Sequence, residues 1–116
     1  MNSIRGILFD LDGTLYVGDE LIPGAREALE WCARRELPVR FVTNTTSKPR
    51  REIVEKLGRL GIRVPVDHLF TAPAAAREVL LKRQWTRCHL LLRESLLDDL
   101  SGIAAVNESP QAVVIG

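Results

Sequence analysis

Two aspartates one residue apart follow a short apolar run near the start of the chain. Asp10 and Asp12 come directly after Ile7-Leu8-Phe9, and Gly13 follows at once. The pattern predicts a buried strand ending in an acidic turn, because glycine lets the backbone leave an extended path. Residues i and i+2 of an extended segment point to the same side, so we expect both carboxylates to project together from the strand's carboxyl end. Open α/β sheets bind ligands at that end.

The acidic turn has a structural and a chemical interpretation. In the structural one, Asp12 bonds its own backbone and Thr14 caps the next segment of the chain. In the chemical one, paired carboxylates supply a nucleophile and an acid or base, and they attract a hard cation. The complete run Asp10-Leu11-Asp12-Gly13-Thr14 after an apolar strand favours the chemical interpretation, because four fixed residues seldom coincide by chance.

These five residues resemble the first motif of the haloacid dehalogenase-like hydrolases, Asp-x-Asp-Gly-Thr at the end of the first core strand. Most of that superfamily are magnesium-dependent phosphatases. The resemblance implies that Asp10 is the nucleophile, forming an aspartyl-phosphate, and that Asp12 is the general acid and base. It also implies that Asp10 and Asp12 hold Mg²⁺ and that Gly13 contacts phosphate. Carboxylates suit both tasks, since Mg²⁺ prefers one or two of them together with phosphate oxygens and water.

A second strand is predicted at Val39–Val42, after an amphipathic helix that starts at Ala25. A strand, a helix and another strand form a right-handed unit that brings the two strand ends side by side. Thr43 would then face Asp10, and its hydroxyl, supported by Asn44, could bind phosphate without adding negative charge. The alternative is a hydrogen-bonded turn with a helix cap. A Thr or Ser at this place is the second motif of the same superfamily, which favours phosphate contact.

Three cations, Lys48, Arg50 and Arg51, crowd the start of the next predicted helix, for which Ser47 is the expected cap and Pro49 lies in the first turn. Cations oppose the helix dipole there. They form either a solvated face or a positive patch that steers phosphorylated substrate.

The second half of the chain predicts further α/β structure. Thr71 should cap a helix over Ala74–Lys82, and Ser95–Leu100 should form a short helix. Strands are predicted at Cys88–Leu92 and Ala112–Ile115.

The spacing of the cysteines and histidines does not indicate a metal or catalytic site. Cys32 and Cys88 lack metal-type spacing and are interpreted as buried, reduced thiols. His68 and His89 are isolated and are expected to be structural or solvent-facing.

Four segments of the sequence narrow the resemblance to the NagD-like, type IIA branch of the superfamily. They lie at Thr43–Lys48, Leu57–Val64, Phe70–Ala76 and Ala112–Gly116. The branch carries a large α/β cap inserted between the second and third motifs. The resemblance therefore implies an α/β chain: a partial Rossmann-like parallel sheet with helices on both faces over residues 1–65, followed by the first part of a cap over residues 66–116.

The superfamily's third motif, a lysine, and its fourth, an acidic pair, follow the cap. Neither is assigned to Lys48 or to Asp98-Asp99, which are expected to be solvated in a cap helix. We therefore expect this chain to be a truncated or partial phosphatase that is inactive or weakly active alone. The alternative is a non-catalytic module that binds phosphate and Mg²⁺ and self-associates through open strand edges.

Composition sets the remaining expectations. The 116 residues carry a net charge of +1, which gives no sign of a nucleic-acid partner. No run approaches membrane-spanning length, so we expect no membrane partner and a cytoplasmic location. The expected partner is a small phosphorylated metabolite, together with further copies of the chain bound through exposed edges.

Overall fold

The computed structural model describes residues 3–116, which form two compact units. The first unit contains the chain up to Thr43 together with Ile53–Phe70, and the second contains Asn44–Glu52 and Thr71–Gly116. The sequence predicted a single boundary after residue 65. That boundary stays a prediction, and the two compact units group residues 66–70 with the first unit and residues 44–52 with the second. No helix in the described part of the chain is long and apolar enough to cross a membrane.

The first unit is built on a parallel pair of strands. Its sheet has the order β1-β4-β5, and β1 runs parallel to β4 with Ile7 opposite Val39 and Asp10 opposite Val42. The elements up to β5 are β1 (Ile7–Asp10), β2 (Tyr16–Val17), β3 (Glu20–Leu21), α1 (Ala25–Arg34), β4 (Val39–Thr43), α2 (Arg50–Arg59), a 3-10 helix (Val66–His68) and β5 (Leu69–Thr71). The predicted strand, helix and strand are confirmed. The short antiparallel hairpin of β2 and β3 was not predicted.

The core of the first unit joins the turn after β1 to the strands and to α2. Its buried members include Leu11, Leu15, Phe41 and Leu57. Burying side chains of this size stabilises the fold by about 1.5–3 kcal/mol each. Leu11 and Leu15 therefore anchor the acidic turn in the core, whereas the residues between them are exposed.

The second unit also has a parallel sheet, of order β7-β6-β8. Its elements are α3 (Ala72–Lys82), β6 (Arg87–Leu91), a 3-10 helix (Glu94–Asp99), β7 (Ala104–Ala105) and β8 (Ala112–Ile115). The predicted N-cap of α3 is confirmed, because the Thr71 hydroxyl accepts a hydrogen bond from the Ala74 N–H at 3.3 Å. The predicted short helix is a 3-10 helix shifted by one residue, and β7 was not predicted.

The burial of the two cysteines matches the prediction, whereas the burial of one aspartate does not. Cys32 and Cys88 are buried free thiols. The Nδ1 atom of His89 lies 3.1 Å from the Val106 carbonyl oxygen, a structural contact. Asp98 is exposed as predicted, but the prediction for Asp99 was wrong because its carboxylate is buried.

Two of the three cations at the start of α2 form ion pairs, and Lys48 is exposed. Arg50 forms an ion pair with Asp99, and Arg51 forms one with Asp98. The start of the helix is therefore not a patch of free positive charge. The first N–H of α2 is not bonded by the expected cap, Ser47. The helix begins at Arg50, whose N–H donates to Asp99, 49 residues further along the chain.

Candidate active site

The two aspartates flank a residue that is fully buried. Leu11 has 0% of its surface exposed, whereas Asp10 before it and Asp12 after it are exposed. Alternation along an extended segment explains the pattern, since the middle side chain enters the core and its two neighbours point away from it. The expectation that both carboxylates leave the same side of the chain fits this burial.

A tight turn follows the second aspartate. The Leu11 carbonyl oxygen accepts hydrogen bonds from the N–H groups of Thr14 and Leu15, at 3.0 and 2.8 Å. Gly13 has a φ of 80°, a left-handed conformation that glycine adopts without strain. Its N–H donates to the Tyr16 carbonyl oxygen at 2.8 Å. The backbone donor of Gly13 is thus engaged inside the turn, and its contact with phosphate stays a prediction.

Tyr16 follows the acidic turn as the first residue of β2, and no sequence motif assigned it a role of its own at the site. It is 8% exposed, and its backbone bridges to Asp12. Burial, then the charge of Asp12, then that of Asp10 raise the pKa of the Tyr16 phenol above its usual value. The Tyr16 phenol therefore responds to the negative charge of both aspartates. The sequence signal available was an aromatic residue four positions after Asp12.

A lysine from α2 contacts the same tyrosine. The Lys56 ammonium lies 4.4 Å from the centroid of the Tyr16 ring and 3.7 Å from the Asp19 carboxylate. Only 17% of the Lys56 side chain is exposed. The lysine thereby ties the hairpin of β2 and β3 to α2, a role that no local motif indicated.

Thr43 is the last residue of β4, at the same end of the sheet as Asp10. The strand partner of Asp10 is Val42, so Thr43 lies one residue beyond the position directly opposite the nucleophile candidate. Asn44 is the next residue in the chain and belongs to the second unit. Phosphate contact by Thr43 and Asn44 stays a prediction.

The donor set fits a magnesium ion. Asp10 and Asp12 supply two exposed carboxylates, and within residues 3–116 no three His, Cys, Asp or Glu side chains form a metal-binding group. Mg²⁺ commonly uses one or two carboxylates and completes its six ligands with water and phosphate oxygens. A pair of solvent-facing carboxylates is compatible with that arrangement.

A groove elsewhere in the first unit is not this site. It has a volume of about 490 Å³ and is lined by α1, the start of β4 and the segment from Gly61 to His68. Neither aspartate lines it, nor does Thr43. The chemistry-bearing residues lie instead at the carboxyl end of the strands, as the sequence predicted.

Comparison with known proteins identifies the family. Residues 7–104 match the model of the haloacid dehalogenase-like hydrolases. The chain is 39% identical over 114 residues to haloacid dehalogenase-like hydrolase domain-containing protein 2 of Homo sapiens, covering 98% of this chain and 43% of the relative. It is 39% identical over 119 residues to phospholysine phosphohistidine inorganic pyrophosphate phosphatase of Rattus norvegicus, covering 99% of this chain and 43% of the relative.

Solved structures agree with the fold. The 4-nitrophenylphosphatase of Thermotoga maritima is 34% identical, with a TM-score of 0.88 over 97% of this chain and 44% of that one. NagD of E. coli K-12 is 23% identical, with a TM-score of 0.89 over 99% and 47%, and shows the fold alone. A magnesium complex of a Mycobacterium tuberculosis glycerol phosphate phosphatase is 28% identical, with a TM-score of 0.84 over 100% and 38%.

The chain spans less than half the length of these relatives. The match nevertheless covers most of the present sequence, including the strand that ends at Asp10 and the strand that ends at Thr43. A putative NagD protein is 34% identical, with a TM-score of 0.91 over 97% of this chain and 46% of that one. The chain therefore belongs to the haloacid dehalogenase-like hydrolase family, in its NagD-like branch.

Proposed function

We propose that this protein is a magnesium-dependent phosphatase acting on a small phosphorylated metabolite. The observation that carries the proposal is the placement of Asp10 and Asp12 on either side of the buried Leu11, at the end of the sheet where the parallel strand β4 ends at Thr43. Relatives named as phosphatases support the reaction class, and the magnesium complex of one of them supports the cofactor. A cytoplasmic location stays part of the proposal.

Asp10 would attack the substrate's phosphorus atom while the bond to the leaving oxygen breaks. Asp12 would donate a proton to that oxygen. A water molecule then attacks the aspartyl-phosphate, Asp12 takes the water's proton, and phosphate leaves with Asp10 restored. Two smaller barriers replace one large barrier in such a scheme. Mg²⁺, held by Asp10 and Asp12, would offset negative charge on the transferring group. The Thr43 hydroxyl and the Asn44 amide would donate hydrogen bonds to phosphate oxygens.

The test is hydrolysis of 4-nitrophenyl phosphate by the full-length natural chain. Asp10→Asn should lower kcat at least about a thousandfold, because it removes the nucleophile. Asp12→Asn should lower it about 10²–10⁴-fold by removing the proton carrier. Asp67→Asn makes the same change at an exposed position in the 3-10 helix and should leave kcat unchanged.

Metal dependence is tested on the same protein. Chelation should abolish turnover, and excess Mg²⁺ should restore it. Turnover that survives Asp10→Asn, or that is indifferent to chelation, would contradict the proposal.

The second candidate function is a non-catalytic module that binds phosphate and Mg²⁺ and self-associates. Exposed apolar side chains on β1 and β8 favour it, because Leu8 is 69% exposed and Ile115 is 77% exposed. This candidate predicts phosphate binding without turnover in the full-length chain.

A further inference from the structure

A buried carboxylate from the second half of the chain meets the first residue of α2. One Asp99 oxygen accepts the backbone N–H of Arg50 at 2.7 Å, and the other accepts Nε of the same arginine at 3.0 Å. The Asp99 side chain is 6% exposed and the Arg50 side chain 30%. Both partners belong to the second unit. The contact therefore joins the 3-10 helix after β6 to the start of α2.

Burying a carboxylate is costly unless its oxygens are paired. Here each oxygen has a donor, and one donor belongs to a helix N-terminus, where backbone N–H groups lack helical partners and negative charge is favoured. The arrangement satisfies those requirements with a residue 49 positions away. A capping side chain close in sequence would have bonded only the free N–H of the helix. Asp99 bonds that N–H and also ties the start of α2 to the 3-10 helix after β6.

The neighbouring ion pair, between Arg51 and Asp98, differs from the Arg50–Asp99 pair in its exposure to solvent. Arg51 Nη2 lies 3.3 Å from Asp98 Oδ2, and these side chains are 69% and 56% exposed. Exposed pairs contribute little because solvent screens the charges and both side chains lose freedom. Two adjacent aspartates thus contact two adjacent arginines, and one pair is part-buried whereas the other is exposed.

The position of Arg50 limits the path of the segment between β4 and α2. Residues 44–49 connect the last residue of β4 to the first residue of α2. Pro49 at the end of this segment is fully buried. The hydroxyls of Thr45 and Ser47 lie 3.0 Å apart within it. A connection of six residues with a buried proline has little freedom once its far end is held.

We infer that Asp99 is a positioning residue for the phosphate-binding segment that begins with Asn44, because its carboxylate fixes the end of that segment at Arg50. The inference rests on the proposed function, in which Thr43 and Asn44 bind phosphate. Asp99 itself does not touch substrate. It acts by reducing the number of conformations that the segment must lose when phosphate binds.

The experiment measures the affinity of the full-length natural chain for inorganic phosphate with Mg²⁺ by calorimetry, at a temperature where every variant is folded. Asp99→Ala should raise the Kd about tenfold and should raise KM for 4-nitrophenyl phosphate similarly, with a smaller change in kcat. Asp98→Ala is the matched control and should stay within about twofold of the wild type, because its ion pair is exposed.

A second variant keeps the test decisive if Asp99→Ala does not fold. Asp99→Asn retains one acceptor oxygen for the Arg50 N–H and loses the charge that pairs with its guanidinium. It should raise the phosphate Kd about threefold relative to Asp98→Asn. Folded Asp99→Asn that binds phosphate as tightly as Asp98→Asn would overturn the inference.

Two results separate this inference from the proposed function. If the wild type binds phosphate, and the Asp99 variants lower only the Tm with the phosphate Kd unchanged, then Asp99 is merely structural and the proposed function stands. If the wild type itself binds no phosphate, the proposed function fails and the inference falls with it.

Discussion

At the scale of single residues, the site depends on a carboxylate pair held by an apolar neighbour. Leu11 is fully buried in the core, and this forces Asp10 and Asp12 outward. Two exposed carboxylates one residue apart are ligands of the kind that Mg²⁺ uses in proteins. The charges of both aspartates help to raise the pKa of the Tyr16 phenol, so this group is sensitive to each of them.

The first prediction uses Tyr16 as a reporter of these two charges. Burial and the charges of Asp12 and Asp10 raise its pKa, so the folded chain keeps the phenol neutral above the ordinary value of 10.0. Asp12→Asn should lower the Tyr16 pKa more than Asp10→Asn does, because the Asp12 charge has the larger effect. Ultraviolet absorbance of the phenolate measures this, with Tyr16→Phe as the blank.

The raised pKa also sets a pH dependence of stability. Because the folded state holds the proton more tightly than the unfolded state, the contribution of Tyr16 is complete below pH 10 and is lost as the pH rises through the raised pKa. Urea unfolding should show this decline in the wild type and a smaller one in Tyr16→Phe. An equal decline in both proteins would contradict the assignment.

At the scale of elements, contacts distant in sequence hold the pieces around the site. Lys56 connects α2 to the hairpin, with its ammonium over the Tyr16 ring and close to Asp19. The ring contact is shielded, whereas the Asp19 side chain is 94% exposed. We therefore expect the ring contact to contribute more to the free energy of unfolding than the ion pair does, because solvent weakens the ion pair.

The second prediction compares the two contacts of that lysine. Lys56→Met keeps an apolar stem of similar length and removes the ammonium, so it should lower the free energy of unfolding by about 1 kcal/mol. Asp19→Asn removes only the exposed partner and should lower it by less than about 0.5 kcal/mol. Urea denaturation measures both. If Asp19→Asn costs as much as Lys56→Met, the ion pair and not the ring contact is responsible.

At the scale of the whole molecule, the chain forms two units and leaves apolar strand surface exposed. In the described sheets, β1 and β8 each have a neighbour on one side only. Leu8 on β1 and Ile115 on β8 are among the most exposed large apolar residues. Unpaired strand edges with exposed apolar side chains are templates for pairing with another chain.

The third prediction concerns self-association of the 116-residue chain. We expect its mean mass in analytical ultracentrifugation to rise with concentration, and Leu8→Lys to shift it toward the monomer, because a charge at a strand edge opposes pairing. Val17→Lys places the same charge on the hairpin at a residue that is 61% exposed and should have no such effect. A wild-type chain that stays monomeric at all concentrations would refute this prediction.

The sequence by itself determined the elements whose signals are local. The period of an extended segment predicted that Asp10 and Asp12 project together from the end of β1, and helical spacing with a capping Thr71 predicted α1 and α3. Apolar runs predicted β1, β4 and β8. These features depend on residues within a few positions of one another, so a window of sequence contains the forces that form them. The family motif lies within such a window too.

Only the tertiary structure decided the contacts between distant segments. Strand register placed Val42 rather than Thr43 opposite Asp10, and packing placed Lys56 over Tyr16. Asp99 was expected in solvent and instead holds the start of α2. Each outcome depends on which segments meet after folding, and charge alone does not show which of two adjacent aspartates is buried. The local pattern thus determined what the site contains, whereas the fold decided what supports it.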